Sequence, residues 1–269
     1  MEIWKIILVS TIIILSWPVV RNISFKFSWI SLNYKKTHIP FTVGIVLFIA
    51  VINFIWLWPP NDLFAFLIYV GGLWTAGWID DIFGTRFPKG IKGHLQFLFQ
   101  KREWTTGLTK IVLVGAASGL SLCLVNNIVQ AETLIALSLL ILSPHVCNSL
   151  DTRPLRVWKW FSIHYLIFML FLLGSISISI QIYIVIVMAV WGYIEMTRKG
   201  MLGDNGAALS GGIMAWVAMQ YTPAMYQILL TGILLLMTYF AEKNSIHSFI
   251  QKVSILKEID HWGRREKLE

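Results

Sequence analysis

The chain has 269 residues, 57% of them hydrophobic and 13% charged, with a mean hydropathy of +0.69. Apolar residues in such excess, gathered in long uninterrupted runs, exclude an ordinary soluble domain and describe a polytopic membrane protein of all-α class. The net charge of +8 is spread over short loops. It therefore speaks to membrane topology, and no nucleic acid is expected as a partner.

A helix needs roughly 20 residues to cross a hydrocarbon core of about 30 Å. Nine runs meet or approach that length: 3–20, 41–58, 63–79, 107–125, 133–149, 160–178, 180–195, 206–222 and 224–240. The first resembles a signal peptide in length. Its Ser16-Trp17-Pro18-Val19 end is a poor cleavage site, however, and Glu2 weakens the basic leader, so a permanent helix is expected. The sixth and seventh runs are divided only by Ser175 to Gln181, and the eighth and ninth only by Thr222-Pro223, which predicts tight hairpins. With the N-terminus outside, 21 of the 22 Lys and Arg residues fall on inside segments, leaving only Lys5 outside. That asymmetry predicts a cytoplasmic C-terminus, in a multi-pass protein expected in the plasma membrane. Residues 1–241 then form the transmembrane bundle and 242–269 a cytoplasmic tail.

Trp56, Trp58, Trp158 and Trp160 fall at predicted span ends, where amphipathic rings favour the interface. Gly115 and Gly119 form a small-xxx-small pair expected at a helix contact. Cys123 and Cys147 lie in opposite halves of the membrane, so no disulfide is expected and both read as packing residues. In the tail, Ile246, Phe249, Ile250, Val253, Ile255, Leu256, Ile259 and Trp262 recur at near-helical spacing among Lys243, Lys252, Lys257, Arg264 and Arg265. This predicts an amphipathic helix on anionic inner-leaflet lipids or packed beneath the bundle.

The residues suited to chemistry sit at one rim. Asp80-Asp81 ends the third run, and two adjacent carboxylates at the edge of a low-dielectric region call for a cation. A solvated helix end is the simpler alternative. The basic, glycine-punctuated loop that follows carries Lys89, Gly90, Lys92 and His94, as an anion-binding segment would. Asn148 and Asp151 lie three apart at the end of the fifth run and should share a helical face, with Pro154 stopping the helix and Arg153 and Arg156 below it. An amide, a carboxylate and two guanidiniums suit a pyrophosphate, although topogenic arginines would produce the same basic loop. In Gly203-Asp204-Asn205-Gly206, flanking glycines permit a tight turn that aims Asp204. A helix starting there would offer free N–H groups to phosphate, with Asp204 as a simple N-cap the competing role.

In this order the motifs resemble those of the polyprenyl-phosphate N-acetylhexosamine-1-phosphate transferases, an integral membrane family. The parts are Lys36-Thr37-His38-Ile39-Pro40 with Gly44, Asp80-Asp81, Lys89-Gly90, Asn148 with Asp151, and Met201-Leu202-Gly203-Asp204. The resemblance implies transfer of a sugar 1-phosphate from a nucleotide sugar, UDP-linked in most members, to undecaprenyl phosphate with release of UMP, in bacterial cell-envelope synthesis. It implies Mg2+, with Mn2+ as a substitute, held by Asp204 and Asp80. Asp80, Asp81 and Asp151 become catalytic, and Lys36, Lys89, Lys92, His94, Asn148, Arg153 and Arg156 substrate-binding. A homodimer is one expected assembly. The chain departs from the peptidoglycan members at Pro154, where they carry an aspartate, and at Asn205 and Ala207. It also lacks their tenth span and histidine-rich loop, whose work Arg153 or Arg156 is expected to take over. The competing class is a non-catalytic polyprenyl-phosphate binding or transport protein on the same scaffold.

Overall fold

The structure is a computed structural model that describes residues 3–84, 90–125, 130–172, 174–244 and 246–264. Each of the nine apolar runs is helical: α1 (Ile3–Lys26), α2 (Val43–Leu57), α3 (Leu63–Phe83), then, after the amphipathic α4 (Gly90–Lys101), α5 (Thr106–Leu124), α6 (Gln130–Leu150), α7 (Arg156–Phe171), α8 (Ile178–Met196), α9 (Gly203–Tyr221) and α10 (Ala224–Lys243). Six of them, α1, α3, α5, α6, α8 and α10, are long and apolar enough to cross a bilayer, which makes the chain a helical membrane protein by length and composition. The tail forms two short helices rather than one, α11 (Ile246–Lys252) and α12 (Ser254–His261).

The all-α expectation holds apart from one small antiparallel hairpin, β1 (Ile30–Leu32) with β2 (His38–Pro40), where Ser31 pairs with Ile39. Its turn is held by Asn33, whose Oδ1 accepts the N–H groups of Lys35 and Thr37 at 2.9 and 3.0 Å. Beyond β2 the chain meets the stretch before α9. Met201 N–H donates to Pro40 O, and the first amides of α2, from Val43 and Gly44, donate to the carbonyls of Met201 and Leu202. These bonds satisfy amides that a helix start leaves without an intrahelical partner and fasten the beginnings of α2 and α9 together.

α9 runs through the middle of the bundle, touching α2, α3, α6, α7 and α10. Its Gly and Ala residues allow the approach: a Cβ on Gly206 would stand 2.8 Å from Gly44 Cα, and one on Gly77 of α3 would stand 2.4 Å from Asn205 Cα. Small residues at these crossings let backbones pack where larger ones would force them apart. Ser143 in α6 donates to Gly211 O at 2.7 Å, and Tyr69 in α3 donates to Leu140 O at 2.7 Å, so these two buried hydroxyls are paired across helices.

Two sequence expectations are corrected. Among the described residues Gly115 and Gly119 mediate no helix contact, since a Cβ on either meets nothing within 4 Å. α5 packs on α3 instead through Ala117, against which Gly72 fits. Trp158 and Trp160 are half-buried against the core at the start of α7, and Trp158 donates to Met188 O at 2.8 Å, whereas Trp56 is exposed. Cys147 is buried, but Cys123 is exposed and packs nothing inside.

Candidate functional site

The ends of α3, α6, α8 and α9 meet at one rim of the bundle, and beneath the β1–β2 hairpin they enclose a cavity of about 500 Å3. Its walls carry Asp80, Asp81, Asp151, Asp204 and Glu195, with Arg153, Arg198 and Tyr34 on the same lining. All four aspartates singled out in the sequence thus face one space.

Their individual settings differ. Asp81 is a helix cap in trans: its Oδ1 accepts Asp204 N–H and its Oδ2 accepts Asn205 N–H, both at 2.9 Å. A carboxylate at a helix N-terminus satisfies orphan amides and meets the positive end of the dipole. The Asp204 and Asn205 amides of the first turn of α9 are therefore already taken, which corrects the expectation that they lie open to phosphate. Asp204 makes no N-cap bond either, because the N-cap position is Leu202. Gly203 turns into this helix with φ +75°, a left-handed conformation that glycine adopts without cost. Beside it Asn205 is fully buried, and neither polar atom of its side chain has a hydrogen-bond partner among the described residues.

Asp204, Asp80 and Asn148 surround a residue absent from the sequence candidates. Lys110 Nζ lies 2.9 Å from Asp204 Oδ2, 3.4 Å from Asp80 Oδ2 and 3.0 Å from Asn148 Oδ1. In the sequence Lys110 counts only as one more basic residue. Its signal is position, because it stands inside the predicted span 107–125, where a cation is costly unless partnered. Thr105 caps the helix that carries it, accepting Leu108 N–H at 3.3 Å.

Asp151 follows the last turn of α6, its N–H bonded to Cys147 O at 3.1 Å. Burial and the nearby carboxylates of Glu195, Asp204 and Asp81 push its carboxyl well above the usual range, against the opposing pull of Lys110. A cation entering the cavity would reverse that push. Glu195, at the end of a predicted apolar span, is a second residue outside the sequence candidates. It is buried and accepts Leu155 N–H at 2.9 Å. That bond holds Leu155 at φ +66°, unusual for a residue with a side chain, so that α7 starts at Arg156, earlier than the predicted 160.

The two arginines part company. Arg153 lines the cavity, its guanidinium 4.4 Å from the Tyr34 ring centre and its Nη2 3.3 Å from His247 Nε2. Arg156 is buried and committed to the tail: Nε donates to Asp260 Oδ1 at 2.7 Å and Nη2 to Asp260 Oδ2 at 2.8 Å. Asp260 also pairs with Arg264, whose Nε donates to Pro154 O at 3.2 Å. Arg156 therefore holds the tail and does not line the cavity.

Lys36, Lys92 and His94 are likewise absent from the described cavity lining. Lys36 lies on the exposed hairpin turn, Lys92 is exposed on α4, and His94 bonds Thr105 Oγ1 at 2.9 Å with its ring against Gly107. Lys89 falls outside the described residues.

Magnesium favours oxygen ligands, and the donor chemistry fits: Asp80, Asp204 and Asn148 turn oxygens toward one point, where the Lys110 ammonium sits. Among the described residues no three His, Cys, Asp or Glu side chains are grouped as a ready-made metal site. Fold and site together define a helical membrane protein with a carboxylate-lined cavity at one rim. Comparison with protein-family models, curated proteins and solved structures gave no match for this chain.

Proposed function

We propose that the chain transfers a sugar 1-phosphate, such as an N-acetylhexosamine 1-phosphate, from a nucleotide sugar to a polyprenyl phosphate in the presence of Mg2+. The observation that carries this reading is the convergence of Asp80, Asp81, Asp151 and Asp204 on one rim cavity that also presents Arg153, beside Lys110. A transporter is expected to place its ionisable residues near the bilayer midplane, and these lie at helix ends.

In the reaction an oxygen of the lipid phosphate attacks the sugar-proximal phosphorus, and the bond to the nucleotide phosphate breaks, releasing the nucleoside monophosphate. Asp80 and Asp204 would hold the metal ion, which when bound neutralises phosphate charge. Lys110 holds their carboxylates together by its charge and offers a second positive charge to the leaving group. Arg153 can grip the donor pyrophosphate with its planar fork. Asp81 keeps Asp204 on a fixed helix start. The bundle is read as nine spans in a plasma membrane, the N-terminus outside and the cavity cytoplasmic, supported by the 21 of 22 basic residues on that side.

The test is purified protein with undecaprenyl phosphate, Mg2+ and a panel of nucleotide sugars, followed by mass analysis of the lipid. Formation of a lipid-linked sugar pyrophosphate is expected. Asp204→Asn should reduce turnover by several tenfold steps, each worth about 1.4 kcal/mol, with the protein still folded. No product from any donor, despite saturable binding of the lipid phosphate, would favour a second reading. That reading is a non-catalytic polyprenyl-phosphate binding protein, and the lysine lodged among the carboxylates is the observation on its side.

A further inference from the structure

Helix α12 is inside out by the standard of a soluble protein. Its one buried residue is an acid, Asp260, at 4% exposure. Ile255, Ile259 and Trp262, spaced to lie along one helical stripe, are instead 73%, 49% and 69% exposed. A helix in water turns such a stripe inward and its charges outward. The reversal has a cause in the structure: the interior that α12 faces is charged, so Asp260 turns toward Arg156 and Arg264 and the apolar stripe is left outside.

The surroundings indicate what covers it. Lys159 in the first turn of α7 donates to the carbonyls of Ile259 and Asp260 at 2.7 and 3.0 Å. The last turn of α12 is therefore pinned at the level where α7 begins, and α7 itself turns Ile163, Leu166 and Leu170 outward. The tail departs from α10, whose Leu236, Tyr239 and Phe240 are exposed, and the ring of Phe249 in α11 lies 5.3 Å from that of Phe240. Both anchors belong to helices with apolar outer faces, and exposed Lys243, Lys252 and Lys257 border the segment. Apolar residues flanked by lysines suit the boundary between acyl chains and anionic headgroups. Three side chains fall far short of the 20–30 residues a side of a typical stable protein interface, which argues against a second copy as the occupant.

We propose that α12 is a membrane seat, with Ile255, Ile259 and Trp262 inserted at the lipid boundary adjoining the cavity rim while Asp260 holds the inner side of the helix to Arg156. The seat depends on the chain residing in a bilayer and not on any catalytic activity.

The experiment uses full-length protein with Cys123 and Cys147 replaced, reconstituted in vesicles of phosphatidylethanolamine and phosphatidylglycerol. Nitroxide labels are introduced singly through Ile255→Cys, Ile259→Cys and Lys257→Cys. Collision rates with oxygen, which concentrates in lipid, and with a water-soluble nickel complex report the depth of each label. The oxygen-to-nickel ratio at positions 255 and 259 should exceed that at 257 several-fold. Equal, water-like ratios at all three would overturn the seat. So would labels at 255 and 259 shielded from both reagents and showing dipolar broadening that grows with the protein-to-lipid ratio, because a second copy would then be the occupant. Either variant alone reads the stripe, so failure of one to assemble leaves the test standing.

Discussion

Asp81 is the residue whose setting separates architecture from chemistry. Both its oxygens are engaged by backbone N–H groups of α9, so it stabilises the helix that presents Asp204 before any ion or substrate arrives. In Asp81→Asn, one acceptor becomes an NH2 group facing another N–H donor. A lost cap bond of this kind costs about 0.5–2 kcal/mol, and an unsatisfied buried donor about 1–3 kcal/mol. Thermal unfolding in detergent without Mg2+ should show Asp81→Asn melting below wild type. Equal melting temperatures for wild type and Asp81→Asn would remove the capping role. The pairing that makes Asp81 a cap spans 123 positions in sequence, and no local pattern reports it.

At the scale of elements, the tail is fastened by charge. The Arg156 and Asp260 side chains are each only 3% exposed, and removing one partner of a buried pair typically costs about 3–5 kcal/mol because the other is left uncompensated. Asp260→Asn should therefore release α11 and α12 without unfolding the bundle, seen as faster amide exchange confined to 246–264. Acid should act in the same direction. Burial tends to raise the Asp260 carboxyl, but the bonds and charges of Arg156 and Arg264 outweigh it and hold the group below its usual range. Burial, Arg153 and Arg156 also lower His247. For both groups the folded state favours the deprotonated form, so their contribution is present at neutral pH. The His247 part is lost as pH falls below the ordinary histidine range, and the Asp260 part only below the ordinary carboxylate range. Exchange at 246–264 should rise in those two steps. A tail indifferent to pH between 7 and 3 would contradict the assignment. The apolar periodicity announced a helix here, but the inward turn of Asp260 follows from the arginines beneath it.

For the whole molecule, the prediction is topological. A reporter fused after Glu269 should be cytoplasmic, and one inserted near Asn61 external, because positive charge is retained inside. An external C-terminus would put the aspartate cavity on the other side of the membrane from cytoplasmic nucleotide sugars and would end the proposed function. Between Asp151 and Asp204 the chain passes through both α7 and α8, and this pair returns it to the rim where Asp80 and Asp81 also lie. α9, rich in glycine and alanine, is enclosed by its neighbours.

Sequence alone determined the membrane class, the places of the nine apolar helices and the presence of aspartates at their ends, because long apolar runs and charge placement are local properties that a bilayer enforces one segment at a time. It also singled out Asp80, Asp81, Asp151 and Asp204, which the fold gathers around one cavity. Tertiary structure alone decided what each does there. Lys110 is seen as the partner of Asp80, Asp204 and Asn148 only once α3, α5, α6 and α9 are packed together. Arg156 and Arg153 look alike in sequence, yet one is buried against Asp260, 104 positions away, and the other lines the cavity. The physical reason is that a charge in a low-dielectric rim is governed by its nearest counter-charge, and helix packing chooses that neighbour across the chain.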